Sequence, residues 1–260
     1  MDVSNGLKAE YKQNLQDWIA DIEQAGFEQI HLGIFPVGDL DPKNWNTFKP
    51  ARFQAYWKTV QDIFSIFDEE TWPAHERIFV HGFQSNKPAM PAEFYVDLGN
   101  EQLPRATSVG SPNSPDKPIL SQFAQDLWAL YVSTYPSSRS IGFSSYRAGL
   151  DRAIRHMPYI YQGNYPAAFQ FHPYTDEQHF FKMADSNLKA IGLGDMPFVI
   201  GEVHYDDLEN AAGLAKQLDL ADRSVAAVLQ WPITRGNENC TGVNTPLPTT
   251  QFDSYIKHGF

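Results

Sequence analysis

The stretch Phe198-Val-Ile-Gly-Glu-Val-His-Tyr205 decides the reading of this chain. Three apolar residues lead into Gly201-Glu202, then His204 and Tyr205, so a short buried strand ends in polar residues. Other runs have the same form: Ala167-Ala-Phe-Gln-Phe-His-Pro-Tyr174 before it, Ala226-Ala-Val-Leu-Gln-Trp-Pro232 after it, and a strand-like start near Ser140. Their starts recur about every 30 residues, with helical patterns expected at 147–157, 177–190 and 208–219. A strand–helix unit of that length implies parallel strands joined by right-handed crossovers.

Upstream, Leu7, Tyr11, Leu15, Trp18, Ile22 and Ala25 fall at helical spacing, and Gly26 stands where the helix would be capped. Gln29–Phe35 reads as a strand closed by Pro36. The second helix shows an apolar face of Phe53, Trp57, Val60, Phe64 and Phe67. Strands are expected at Arg77–Phe83 and Glu93–Leu98, a long loop at 104–118 and a third helix at 119–133. Trp18, Trp57 and Trp128 lie on helix faces and are read as packing residues. No glycine-rich phosphate loop follows any strand, which weakens a nucleotide-binding reading.

Composition narrows the function. The 260 residues suit one domain, 1–260, and the 18 Phe, 12 Tyr and 6 Trp argue against disorder. Lys and Arg number 20 against 31 Asp and Glu, a net charge of −11, opposite in sign to a nucleic-acid footprint. The apolar runs are too short to span a bilayer. Cys240 is the only cysteine, so no intrachain disulfide forms and a zinc-finger framework is excluded.

In parallel βα folds chemistry gathers at the C-terminal ends of strands. Here those ends read Asp97-Leu-Gly-Asn100-Glu101, His172-Pro-Tyr174, Gly201-Glu202-Val-His204-Tyr205 and Gln230-Trp231-Pro232. Two glutamates each closing a strand suit glycoside hydrolysis, in which one carboxyl donates a proton while the other stays ionised. Burial and mutual repulsion can separate their pKa values. Trp231 offers a flat face to a sugar ring. Asn100, His172 and Tyr174 offer directional hydrogen bonds, and His81, Ser145, His204 and Tyr205 are candidate rim contacts. Each has a plainer reading as well: a solvated strand-end residue for either glutamate or, for Glu101, a salt bridge to Arg105 or Arg147, a loop cap for Asn100, and packing for His172, Tyr174 and Trp231.

With Asn100-Glu101 and Gly201-Glu202 three strands apart, the sequence resembles the large (β/α)8 clan of retaining glycoside hydrolases, which includes cellulases, β-mannanases and β-galactanases. The resemblance implies a TIM-type barrel acting on a β-linked oligo- or polysaccharide by double displacement. It implies Glu101 as acid/base and Glu202 as nucleophile. Phe169–Tyr174 is similar to the strand-six segment whose aromatic residue bonds the nucleophile, and Gln230-Trp231-Pro232 to a sugar-stacking segment on strand eight. No metal or organic cofactor is needed, and the resemblance suggests a secreted or periplasmic protein, with no signal peptide in this chain. An Arg usual near the end of strand two is missing, and Gln102 stands where Pro is common. If Glu101 closes strand four, too few strands precede it, so one or two N-terminal βα units are expected to be absent. The protein would then be a monomer or have a partner covering the open side. Two rivals remain: a metal-dependent sugar isomerase or hydrolase using Glu101, His172 and Glu202, and a carbohydrate-binding barrel without turnover.

Overall fold

A computed structural model describes residues 6–24, 30–67, 94–108, 114–173, 177–203 and 223–230. Helices α1 (Ala9–Gln24), α2 (Pro50–Phe64), α3 (Pro118–Thr134), α4 (Leu150–Tyr161) and α5 (Glu177–Ala190) accompany strands β1 (Ile30–Gly33), β2 (Phe94–Asp97), β3 (Ser140–Gly142), β4 (Ser145–Tyr146), β5 (Phe169–His172), β6 (Phe198–Val203) and β7 (Val225–Gln230). All strand pairings among them are parallel, in the orders β1-β2-β3 and β4-β5-β6-β7. The Ala167 amide donates to the Ser140 carbonyl at 2.9 Å. β3 and β4 are thus two pieces of one strand path, broken at Phe143-Ser144. The architecture is a parallel α/β sheet with helices, as the 30-residue rhythm predicts. Among the described residues, β1 and β7 each have one pairing neighbour.

The predicted segments at 77–83 and 208–219 lie outside the described residues. β1 pairs residue for residue with β2, from Ile30 with Phe94 to Gly33 with Asp97, so no strand stands between them. Helix α4 runs past its expected end at 157 to Tyr161, with Pro158 inside its last turn. Proline there has no N–H for the Ile154 carbonyl four residues back, so the helix forgoes one bond close to its end. The strand expected near 140 is interrupted because Gly142 adopts φ 70° and the Tyr161 hydroxyl packs where a Cβ would lie.

Most of the apolar core lies between sheet and helices. Phe169 and Phe171 of β5 stack on each other and meet Phe198 of β6, which in turn meets Phe181 of α5. Phe123 of α3 collects Trp45, Phe53 and Tyr56. Trp57 and Trp128 are buried in this layer, as their helical positions suggested. Burying each such ring contributes roughly 1.5–3 kcal/mol. The opposite face of the sheet carries smaller residues, Ile141, Ala168 and Val199. On β5 the alternation then places Gln170 and His172 on that inner face, both buried. Arg223, buried just before β7, bonds Asp185 of α5 at 2.6 Å and the Met196 carbonyl at 2.6 Å, tying helix to sheet.

Candidate active site

Two carboxylates meet at one imidazole. His172 Nδ1 lies 3.2 Å from Glu101 Oε1 and 3.2 Å from Glu202 Oε1. One oxygen of each carboxylate and a ring nitrogen all fall within 4.8 Å of one another. The imidazole is fully buried, the Glu202 side chain is 9% exposed and that of Glu101 28%. His172 therefore sits behind the pair, and Glu101 is the more open of the two carboxylates.

Glu101 follows β2 and owes its position to a fastened turn. Asp97, wholly buried at the strand end, accepts from the amides of Gly99 at 3.0 Å and Ser144 at 3.2 Å. Burial raises the Asp97 carboxyl above the usual carboxylate range, opposed by hydrogen bonds from Ser144 and Gly99 and by the nearby His172. Tyr56 of α2 donates its hydroxyl to the Leu98 carbonyl at 2.8 Å, and burial next to Asp97 pushes this phenol well above its ordinary value. The Asn100 amide donates to Ile34 at 3.2 Å, and the Glu101 amide to Ser144 Oγ at 2.8 Å. Ser144 in turn donates to Asn100 Oδ1 at 3.4 Å, a long bond. Glu101 itself has φ 54°, in the left-handed region, where a side chain costs roughly 1–2 kcal/mol.

Glu202 lies within a strand, and its parity matches Phe198 and Ile200, which face the helices. The register between β6 and β7 shifts here: Ile200 pairs with Val228 and Val203 with Gln230, so β6 carries one extra residue. Such a bulge re-aims a side chain, and Glu202 turns to the inner face beside His172. Gly201 is the other half of this arrangement. A Cβ there would meet Gln170 Nε2 at 2.5 Å and the His172 ring at 2.6 Å. The backbone is pressed against the imidazole, leaving room for glycine alone.

Below the pair, Gln170 Nε2 lies 3.0 Å from His172 Nε2. His31 on β1 completes this layer. Burial, then the neighbouring His172, lower its pKa to about 4, against a raising interaction with the Gln170 amide. His31 Nε2 and Gln170 Oε1 are both buried without a hydrogen-bonding partner.

Of the residues selected from sequence, the structure brings together Asn100, Glu101, His172 and Glu202. Ser145 is buried with its hydroxyl on the Tyr146 carbonyl at 3.2 Å, and its neighbour Ser144 is the serine that touches Glu101. His81, Tyr174, His204, Tyr205 and Trp231 lie outside the described residues. Asp97, Ser144, Gln170 and His31 emerge only from the fold. Gln170 had a readable signal, since it stands two residues before His172 on one strand face.

The oxygen–nitrogen–oxygen set at Glu101, His172 and Glu202 has a size compatible with a small divalent cation. A histidine bound to metal through one nitrogen normally donates its other N–H to an acceptor. Gln170 presents its amide nitrogen to His172 Nε2, a donor where an acceptor would be needed. The surroundings therefore fit a hydrogen-bonded imidazole better than a ligating one.

No protein-family model matches the chain, and no curated protein does. Among solved structures it is similar to a glucosidase from Croceicoccus marinus, with a TM-score of 0.48 at 11% identity, over 83% of this chain and 44% of that one. It is also similar to a GH128 (subgroup VI) exo-β-1,3-glucanase from Aureobasidium namibiae, with a TM-score of 0.43 at 15% identity, over 90% of this chain and 96% of that one. The chain thus spans less than half the length of the glucosidase.

Proposed function

We propose that this chain is a glycoside hydrolase domain of (β/α)8 type that cleaves β-linked oligo- or polysaccharides with retention of configuration. The observation that supports this most is the approach of Glu101 and Glu202 to within 4.8 Å, oxygen to oxygen, around His172 Nδ1. Retaining enzymes hold their carboxyl groups about 5–5.5 Å apart, whereas inverting ones leave about 6.5–9.5 Å for a water. The close approach of one oxygen from each carboxylate supports the shorter class.

Glu101, the more exposed carboxyl, would protonate the glycosidic oxygen as the bond to the anomeric carbon breaks. Glu202 would attack that carbon and form the covalent glycosyl-enzyme. Glu101, then ionised, would take a proton from water as the water displaces Glu202. Asn100, next to the proposed acid/base, would bond a sugar hydroxyl, and Trp231 is assigned the stacking role by sequence alone. The substrate is a neutral carbohydrate, in keeping with the net charge of −11.

The test is trapping with 2-deoxy-2-fluoro β-glycosides followed by peptide mapping. The adduct is expected on Glu202, and label on any other residue would overturn the roles. The same donor set supports a second reading as a divalent-metal enzyme, which requires Gln170 to present its oxygen to His172. Activity that survives EDTA supports the hydrolase; loss restored by Mg²⁺ or Mn²⁺ supports the metal reading.

A further inference from the structure

We propose that Gln170 is a positioning residue: its amide fixes the proton of His172 on Nδ1, so that one N–H serves Glu101 and Glu202 in alternation. The inference rests on the hydrolase reading for its kinetic part and on geometry alone for its structural part.

An amide nitrogen can donate and cannot accept. With Gln170 Nε2 3.0 Å from His172 Nε2, that ring nitrogen must offer its lone pair. A neutral imidazole then carries its hydrogen on Nδ1, and Nδ1 is the atom 3.2 Å from both carboxylates. The arrangement is held from every side. Gln170 and His172 share one face of β5, both buried. Gly201 of β6 lies against the Gln170 amide and the ring edge, where a Cβ would come within 2.6 Å. His31 of β1 belongs to the same layer, and burial keeps it neutral near pH 7. Among the described residues, the charged and titratable groups facing the ring include Glu101 from the β2 end, Glu202 from β6, His31 from β1 and the more remote Asp97.

One proton and two acceptors give the ring a task at each stage of double displacement. While Glu101 holds the proton it will donate, the His172 N–H belongs to Glu202 and orients that carboxylate. Once Glu202 is esterified and Glu101 ionised, the same N–H turns to Glu101. No proton leaves the imidazole; only its hydrogen-bond acceptor changes. A ring protonated on Nε2 would instead place a lone pair towards two carboxylates, repelling the nucleophile.

The experiment combines ¹⁵N NMR of histidine-labelled protein with steady-state kinetics on an aryl β-glycoside. His172 is assigned by the signal lost in His172→Gln. The wild type is expected to show His172 protonated on Nδ1. Gln170→Glu, which presents acceptor oxygens, is expected to move the proton onto Nε2. Gln170→Met, similar in size but unable to donate, is expected to give mixed tautomers and to lower kcat about tenfold with KM within twofold. Thermal melting of each variant separates these effects from unfolding. A wild-type ring protonated on Nε2, or a Gln170→Met ring unchanged in tautomer, would overturn the proposal. If the protein hydrolyses no glycoside, the hydrolase reading fails and the tautomer result still decides the role of Gln170.

Discussion

Glu101 and Glu202 reach one imidazole from strand ends built on different plans. The end of β2 is held by hydrogen bonds: Asp97, Ser144 and Tyr56 fasten a turn, and Glu101 projects from left-handed backbone within it. The end of β6 is held by shape: an extra residue turns Glu202 inward, and Gly201 presses on His172 and Gln170. A loop held by polar contacts can shift when its partners titrate or move. A bulge inside a paired strand is tied to its neighbours on both sides. The more exposed Glu101 thus sits on the adaptable support and the buried Glu202 on the stiff one, which suits the roles proposed for them, one activating water and the other forming a covalent bond.

The largest expected effect separates the two carboxylates themselves. Glu202→Gln is expected to lower kcat on an aryl β-glycoside by about 10⁴-fold or more, because no other group replaces the nucleophile. Glu101→Gln should cost roughly 10²–10⁴-fold in general acid–base catalysis, and least with leaving groups that need no protonation. Equal losses on every leaving group would erase the division of roles.

A smaller effect tests the stiff support. Gly201→Ala introduces a Cβ within 2.6 Å of the Gln170 amide nitrogen and the His172 ring, so these side chains must shift. Overpacking of this kind costs about 1–3 kcal/mol of stability, read by urea unfolding. The displaced imidazole should reduce kcat more than it raises KM. An alanine variant as stable and as active as the wild type would break the account of this strand end.

The layer beneath both carboxylates gives a pH signature. The folded pKa of His31 is lowered to about 4 from an ordinary 6.5. Between those values the unfolded chain takes up a proton that the folded one refuses, so stability is full above about pH 6.5 and falls as pH drops towards 4. By linkage the loss is at most about 3 kcal/mol. Urea unfolding across pH 4.5–7.5 should show a shallower slope for His31→Leu than for the wild type, and identical slopes would remove His31 from the layer.

Legibility in the sequence followed the same divide. The 30-residue rhythm made the parallel sheet readable, and helix α5 falls on its predicted span, Glu177–Ala190. Glu101, Glu202 and His172 stood out as polar residues at strand ends. Strict alternation, however, sends Glu202 towards the helices with Phe198 and Ile200, and only the register shift turns it inward. Ser144 was hidden in the same way, because Gly142 breaks its strand and turns this serine to the β2 loop. Contacts across 43 residues, such as Glu101 with Ser144, have no local signature. His31 lies 139 positions from Gln170, and only strand pairing links their layer.

Glu101 at φ 54° has a consequence for anyone who evolves this protein towards heat resistance. Glycine accepts that backbone freely, so Glu101→Gly relieves roughly 1–2 kcal/mol of strain. A selection scored on survival of the fold would therefore favour the very replacement that removes the proposed acid/base. On the proposed function, folding and activity compete at this single position, and a screen that rewards turnover would retain the glutamate.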